Sequence, residues 1–449
     1  MRYYKKVVKI GFFCLALGFN ALSIAAPAEN HNTVSREDLE EFSNAFHIIK
    51  NNYVSPVTDK KLFEDAIRGM VAGLDPHSTY LDEEDLRDLK DQTTGEFSGL
   101  GMEVNMENGF LKVISPIDDT PAFKAGIKPG DLIVRLDETP IKGLTLRQSV
   151  NKMRGASGTK IKLTVIRKGE SKPLLFTLTR EIIHVQSVKS RLMENFGYVR
   201  ITSFQTKTGH DLETAIADLK KKAGGNLRGL VLDLRNNPGG LLDSAIDVSD
   251  AFIPKNSAYN GLIVYTKGRL PNTQFEARAT SSDILRGAPI VVLINEGSAS
   301  AAEIVAGALQ DHKRAVLVGT KSFGKGSVQT VIPLDGKTAI KLTTALYYTP
   351  SGRSIQAEGI EPDVYVENMK VSTTNEDKSL EDYKEANLAG HIANATLKGK
   401  NTARHPSAAE QEQTTEEEKD YTEKLATSDY QLNEALNVLK GLTTEVHNN

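Results

Sequence analysis

Pro289–Leu309 reads PIVVLINEGSASAAEIVAGAL. The run PIVVLIN has strand length and is rich in β-branched residues, whereas Ala301, Ile304, Val305, Ala308 and Leu309 recur at spacings of three, four, seven and eight, the stripe of an amphipathic helix. Between them lies a short polar and small-residue turn, so the stretch reads as strand, turn, helix with Ser300 at the helix mouth. The same alternation surrounds it: FGYVRITSF, a helical stretch from His210 to Lys222, a strand from Gly229 to Leu234, the turn RNNPGG, a helix from Leu241 to Phe252, and AVLVG after the Ser300 helix. Alternating strands and helices indicate an α/β core with a largely parallel sheet and loops gathered at the strand ends.

Ser300-Ala-Ala-Glu303 also has the form of a capping box, in which the hydroxyl meets a free helix N–H and the glutamate reaches back. A cap position suits a nucleophile as well, because free N–H groups and the positive helix end favour an oxyanion. Ser298 is a rival hydroxyl two residues upstream. Lys325 stands 25 residues beyond Ser300, in SFGKGSVQ, between two glycines. A serine and a lysine together suggest a nucleophile and a nitrogen base without histidine. The lysine acts as a base only when neutral, which needs desolvation or a nearby positive charge to bring it below its usual value of about 10.4. The alternative for this loop is phosphate binding, since Gly319 to Lys325 fits the first part of GxxxxGK. Gly326 stands where serine or threonine is needed, however, and a strand follows in place of the helix that cradles phosphate.

The whole chain of 449 residues, 39% hydrophobic and 25% charged, is long enough for two or three cores. Its start is basic at Arg2, Lys5, Lys6 and Lys9, then apolar from Ile10 to Ala26 with small residues at the exit. This is the pattern of a signal peptide over residues 1–26, cut after Ala25 or Ala26; an uncleaved anchor is the alternative. Cys14, the only cysteine, falls inside it, so an exported mature chain has no disulfide. Removing the leader moves the formal net charge from −3 to −7, which argues against nucleic acid as a partner. No cysteine pair or HExxH spacing supports a metal, and no cofactor motif is present. Residues 35–92 show helical spacing at Leu39, Phe42, Phe46 and Ile49, then at Leu62, Ala66, Met70 and Leu74. In the segment DPHSTYL, His77 reads as a local hydrogen-bonding residue. After about Met369 the composition turns to Thr, Asn, Glu, Lys and Gln, a solvated linker, and a last helix runs from about Ser428 to Leu442.

Residues 95–182 change to short β-rich runs punctuated by glycine. They resemble a PDZ domain: Gly99-Leu100-Gly101-Met102 resembles its carboxylate-binding loop, and AGIKPGDLIVRLD its most characteristic internal stretch. Such a loop turns successive N–H groups toward a chain-terminal carboxylate while the ligand adds a strand to a sheet edge. With GSASAAE, FGKG, LDLRNNPGG and TPSGRSIQAEGIEPD in order, the stretch from Tyr53 to Val366 resembles the carboxyl-terminal processing, or tail-specific, proteases.

That resemblance implies an α/β multidomain fold: an α/β (crotonase/Clp-like) protease core over residues 183–368, an inserted PDZ domain, and helical N- and C-terminal regions, the latter over 369–449. It implies an exported, periplasmic serine endopeptidase, free or associated with the inner membrane, that cuts proteins near apolar free C termini. Ser300 would be the nucleophile, Lys325 the general base and Gln329 the residue orienting the amine, a variant of triad logic. Backbone N–H groups of Gly240 and Ala301 would form the oxyanion hole, and Leu100, Gly101 and Met102 would hold the tail. Arg154 in KMRGASG would report occupancy of the PDZ domain, which gates the site in this family; an exposed hairpin arginine is the plain alternative. Protein or peptide substrates are the expected partners, a homo-oligomer is expected, and an adaptor protein is compatible though no motif marks one. The competing readings are a non-catalytic PDZ scaffold and a serine–histidine hydrolase using His184 or His312.

Overall fold

The computed structural model describes residues 34–369, 425 and 428–445. The leader and most of the polar linker lie outside them. Two units are distinguished, with the division after Gly69. The first holds helix α1 (Arg36–Asn52), capped by Ser35, and the first turns of α2 (Asp59–Ala72). The rings of Phe46 and Phe63 meet at 4.8 Å. No residue of α1 is buried, and Leu39, Phe42 and Ile49 of its apolar stripe stay exposed. Two helices alone cannot enclose such a stripe.

The second unit begins with β1 (Thr79–Leu81), α3 (Glu83–Thr94) and β2 (Glu96–Gly99). A small β domain follows: β3 (Met102–Glu107), β4 (Phe110–Pro116), α4 (Pro121–Lys124), β5 (Leu132–Leu136), β6 (Thr139–Pro140), α5 (Leu146–Met153), β7 (Lys160–Ile166) and β8 (Leu174–Thr179). Its strands run in the order β3-β4-β5-β7-β8, with β6 on β5. Leu111, Val113, Ile133, Leu163 and Val165 form its own core. The chain leaves through β9 (Glu181–His184), which pairs antiparallel with β2, so one two-stranded ribbon carries both entry and exit. This is the geometry of an insertion.

The larger core contains β10 (Val188–Met193), β11 (Phe196–Ile201), α6 (Thr208–Lys222), β12 (Leu230–Asp233), α7 (Leu242–Asp250), β13 (Leu262–Gly268), β14 (Phe275–Arg278), β15 (Ile290–Ile294), α8 (Ala301–Asp311), β16 (Ala315–Gly319), β17 (Ser327–Pro333), β18 (Ala339–Tyr348), β19 (Val364–Tyr365) and the terminal helix α9 (Tyr430–Glu445). The central sheet has the order β10-β11-β12-β15-β16-β19, parallel from β11 onward. Alternate residues explain why its strands are apolar throughout. Val199, Leu232, Val292 and Leu317 pack in one core with residues of α6, α7 and α8, while Tyr198, Val231, Val291 and Val318 pack in another with Leu432, Leu436 and Leu439 of α9. Each buried leucine contributes about 1.5–3 kcal/mol, so the last helix docks on the body of its own chain. A second sheet joins β17, β18, β1, β13 and β14. Pairing of β1 with β18 brings DPHST beside the strand that is itself paired with β17, the strand that follows Lys325.

Candidate active site

At the end of β15 the chain turns sharply, and the turn is tied down at each residue. Ser298 is fully buried: its hydroxyl donates to the Leu234 carbonyl at 2.8 Å and accepts from the Asn295 N–H at 3.0 Å. That pairing makes the rival hydroxyl part of the turn. Ala299 N–H donates to Asn237 O at 2.9 Å. Ser300 itself lies at φ 58, ψ −114, a region costing a non-glycine residue about 1–3 kcal/mol. Strain of this kind, held by its surroundings, is how a strand-to-helix turn lifts a serine hydroxyl out of the backbone.

Glu303 supplies much of that hold. Its side chain is fully buried and takes four hydrogen bonds: from the Ser300 N–H (2.7 Å) and Lys325 N–H (2.9 Å) on Oε2, and from Ser322 Oγ (2.6 Å) and the Gly324 N–H (2.7 Å) on Oε1. The capping relationship with Ser300 is present, and the same carboxylate also fixes the Lys325 loop. One side chain thus sets the distance between the two candidate catalytic segments.

The RNNPGG turn lies against the serine from the other side. Asn237 is fully buried; its side chain donates to Ile201 O and accepts from Gly239 N–H, both at 2.8 Å. Gly239, at φ 98, approaches so closely that a Cβ there would sit 2.8 Å from Ser300 Cβ and 3.0 Å from Ala301 N. Gly240, at φ 143, packs on Phe204, where a Cβ would fall 2.2 Å from the carbonyl oxygen. Among the described residues neither the Gly240 nor the Ala301 N–H donates a hydrogen bond. Two free amides beside the serine suit a developing negative oxygen. Gly239→Ala is expected to lower kcat by about 10²-fold, the effect of shifting a reacting group by about 1 Å, with kcat and thermal unfolding measured side by side; unchanged turnover would mean that the approach is inessential.

Lys325 is half-buried, and its amine is pushed below the ordinary lysine value by burial and then by the charge of Lys341, with Asp75 and Glu303 opposing. The two causes that can lower a lysine, burial and a nearby positive charge, therefore act together here. Among the described residues the amine donates no hydrogen bond, and the Ser300 hydroxyl is paired instead with Tyr347 Oη at 2.8 Å. Burial lifts the Tyr347 phenol to about 12, so it stays protonated. Gln329, in β17, donates to Ser327 Oγ (2.9 Å) and Thr343 Oγ1 (3.2 Å), not to Lys325. One buried carboxylate thus holds the backbones of Ser300 and Lys325, with Gly239 packed against the serine, and the serine hydroxyl is hydrogen-bonded to Tyr347 rather than to the amine.

Three residues join the site that sequence reasoning left out or gave another role. Tyr347 carries no motif; only its inward position on a strand marks it. Asp75 accepts from the His77 and Ser78 N–H groups and the Ser78 hydroxyl, and from Thr343 Oγ1. Burial raises its pKa, but these bonds outweigh that and leave it lowered. His77 is pushed down by burial and by Lys325, so it feels the amine directly. His312 ends α8, about 18 Å along the helix from Ser300 at 1.5 Å per residue, with Nε2 on Leu262 O; His184 pairs with Glu96 on the β2–β9 ribbon. Neither meets the serine.

In the small β domain Leu100 is buried, Gly101 sits at φ 75 over Thr120, and Met102 opens β3, the edge strand whose free side can take an added strand. Arg154 ends α5 and reaches Asp88 (2.5 Å) and Asp91 (3.0 Å) on α3. Arg147 pairs with Glu84 and Asp85 one to two turns earlier. A hairpin arginine it is not; it is half of a charged seam between the two helices.

The peptidase family S41 model matches residues 195–366, the PDZ domain model residues 98–178, and the activating protease CtpB N-terminal domain model residues 19–85. The carboxy-terminal-processing protease of Bartonella bacilliformis is 46% identical over 442 residues, covering 97% of this chain and 96% of that one. Carboxy-terminal processing protease CtpA of Bacillus subtilis is 38% identical over 332 residues, 73% of this chain and 69% of its own. The solved photosystem II D1 C-terminal processing protease aligns over 74% of this chain and 94% of its own, at 29% identity and a TM-score of 0.44. Together the matches define a serine peptidase with an S41 core, a PDZ domain and an N-terminal domain. The chain belongs to the carboxy-terminal-processing protease family.

Proposed function

We propose that this protease uses Ser300 as nucleophile and Lys325 as general base on polypeptides whose apolar C-terminal tails are held by the PDZ domain. The carrying observation is the strained Ser300 turn with free Gly240 and Ala301 amides beside it and a desolvated lysine tied to the same Glu303 carboxylate. In the reaction the neutral Lys325 amine takes the Ser300 proton as Oγ attacks the scissile carbonyl. The oxyanion sits between the two amides. The lysine ammonium then gives its proton to the departing amine, and water, deprotonated by the same lysine, releases the acyl group.

Reaching this arrangement requires the Ser300 hydroxyl to leave Tyr347 and turn to the amine, with Gln329 swinging from Ser327 and Thr343 to orient it. Substrate capture would take place on the free edge of β3, with the tail carboxylate at the Leu100-Gly101-Met102 loop. The basic and apolar leader supports action outside the cytoplasm.

A denatured test protein with an apolar free C terminus is the substrate of choice, compared with the same protein ending in a charged tail. The apolar tail is expected to lower KM by about tenfold or more, the worth of one buried apolar side chain, the terminal carboxylate being common to both substrates. Equal KM for both would remove the PDZ domain from substrate selection. A fluorophosphonate probe should label the tryptic peptide bearing Ser300; labelling elsewhere would overturn the nucleophile assignment.

A further inference from the structure

The oxyanion turn begins at Arg235, and Arg235 does not point into the site. Its guanidinium is buried and aims at the opposite end of the sequence. Nη1 and Nη2 donate to the two oxygens of Asp429 at 2.7 and 2.8 Å, Nη1 also to Gln431 Oε1 at 3.2 Å, and Nε and Nη2 to the two oxygens of Asp233 at 3.0 and 2.7 Å. Asp233 is fully buried at the end of β12 and also accepts from the Tyr198 hydroxyl at 2.8 Å. Asp429 precedes α9 and accepts from the Leu432 N–H at 3.1 Å, so it caps the helix with the oxygens that hold the arginine. Gln431 closes the set by donating to Val366 O at 2.8 Å. A fork bonded on both sides to carboxylates is a rigid connection, stronger and more directional than neutral hydrogen bonds.

From Arg235 the rigidity continues into the site through Asn236, Asn237 and Gly239. Asn236 N–H donates to Asn295 Oδ1 (2.8 Å), Asn237 holds Ala299 and Gly239, and Phe204 pairs with Gly239 O and receives Leu241 N–H. Gly240 lies within that last pairing, five residues after Arg235.

We propose that α9 is a clip for the oxyanion hole: Asp429, through Arg235, holds the RNNPGG turn at the position that aims the Gly240 amide at the reacting carbonyl. Arg235 and Asp429 are positioning residues. A helix far along the sequence from the oxyanion turn thereby sets turnover, and anything that lifts α9 from the sheet slows acylation before it alters tail capture. The inference rests on the assignment of Ser300 and Gly240 above.

The test uses the full chain carrying Asp429→Ser, which retains a capping oxygen for α9 but removes the carboxylate. Its kcat is expected to fall by about tenfold or more, in the range for a disturbed oxyanion donor. Affinity for a peptide aldehyde, whose tetrahedral adduct needs the same amide, should fall in parallel. Affinity for an uncleaved apolar tail peptide should stay within about twofold, since capture and oxyanion binding are separate sites. Asp429→Glu should restore much of the loss. Lys440→Ala, which cuts the Lys440–Glu194 pair (2.6 Å) farther along α9, should leave kcat unchanged.

A folded Asp429→Ser enzyme with the turnover and aldehyde affinity of the parent overturns the clip. So does an equal loss in Lys440→Ala, which would reduce the effect to general docking of the helix. If Asp429→Ser does not fold, Gln431→Glu, which keeps the acceptor for Arg235 but removes the donor to Val366 O, and Gln431→Ala, which removes both, are compared: the alanine variant must show the larger loss in the same two readouts, and no difference between them is equally fatal. Ser300→Ala run beside them separates the levels: persistent cleavage in that variant defeats the underlying assignment, whereas its loss together with an unaffected Asp429→Ser defeats the clip alone.

Discussion

Lys325→Met is expected to lower kcat for tail cleavage by about 10⁴-fold or more, and Ser300→Ala by a similar factor, with the double variant no worse than either. Two groups that act on one proton cannot fail twice. Lys325→Arg should be as inactive as Lys325→Met, because the guanidinium keeps its proton throughout the accessible range. That comparison separates a base from a mere positive charge: recovery of activity in the arginine variant would show that position 325 acts only electrostatically. Burial, then Lys341, depresses the amine, against opposing attraction from Asp75 and Glu303. The rate should therefore rise with pH and level off below the usual lysine value.

Stability carries the same signature. Because the folded-state value of Lys325 is lowered, the unfolded chain binds more protons between that value and about 10.4, and folding stability grows with pH across this window. Below the folded-state value both states are protonated and the slope vanishes. Lys325→Met should abolish this part of the slope and leave the protein at least as stable at neutral pH, since no ammonium is then desolvated. Urea denaturation at several pH values measures both effects. An unaltered slope in the variant would place the amine in solvent.

The strand, turn and helix around Ser300 are legible in sequence because their pattern is local: apolar strand, small residues, apolar stripe. The amides of Gly240 and Ala301 enter the reading only through the family resemblance, since a glycine in a turn and a first helical residue are each compatible with a purely structural place. Long-range pairing is not legible in this way. Tyr347 meets Ser300 across 47 positions, and the DPHST loop nears Lys325 only because β1 pairs with β18. Glu303 reads locally as half of a capping box, which it is, yet three of its four donors come from the Lys325 loop. Arg154 reads as a hairpin arginine when its partners on α3 are unknown. Apolar spacing in α1 correctly marks a helix, but spacing alone does not provide a surface to cover it.

Glu303 offers the sharpest test of how the two catalytic segments are held together. Glu303→Gln keeps the shape of the side chain but replaces one accepting oxygen with a donating NH₂. Placed at the Oε2 position, that group would face the Ser300 and Lys325 N–H donors and leave both unpaired. Placed at Oε1 it faces Ser322 and Gly324; the serine hydroxyl can rotate to accept, so only the Gly324 N–H is orphaned. The second orientation should prevail, at a cost of about 1–3 kcal/mol for one buried unsatisfied donor. Glu303→Leu orphans all four and should cost about 4 kcal/mol or more, at the exceptional end for single substitutions. In kinetics the glutamine variant should lose about 10–10²-fold in kcat, because the amine loop drifts relative to the serine, with KM for an apolar-tailed substrate preserved. Urea unfolding and steady-state rates on the same preparations decide it. A glutamine variant matching the parent in both would mean that Glu303 caps its helix and does nothing for Lys325.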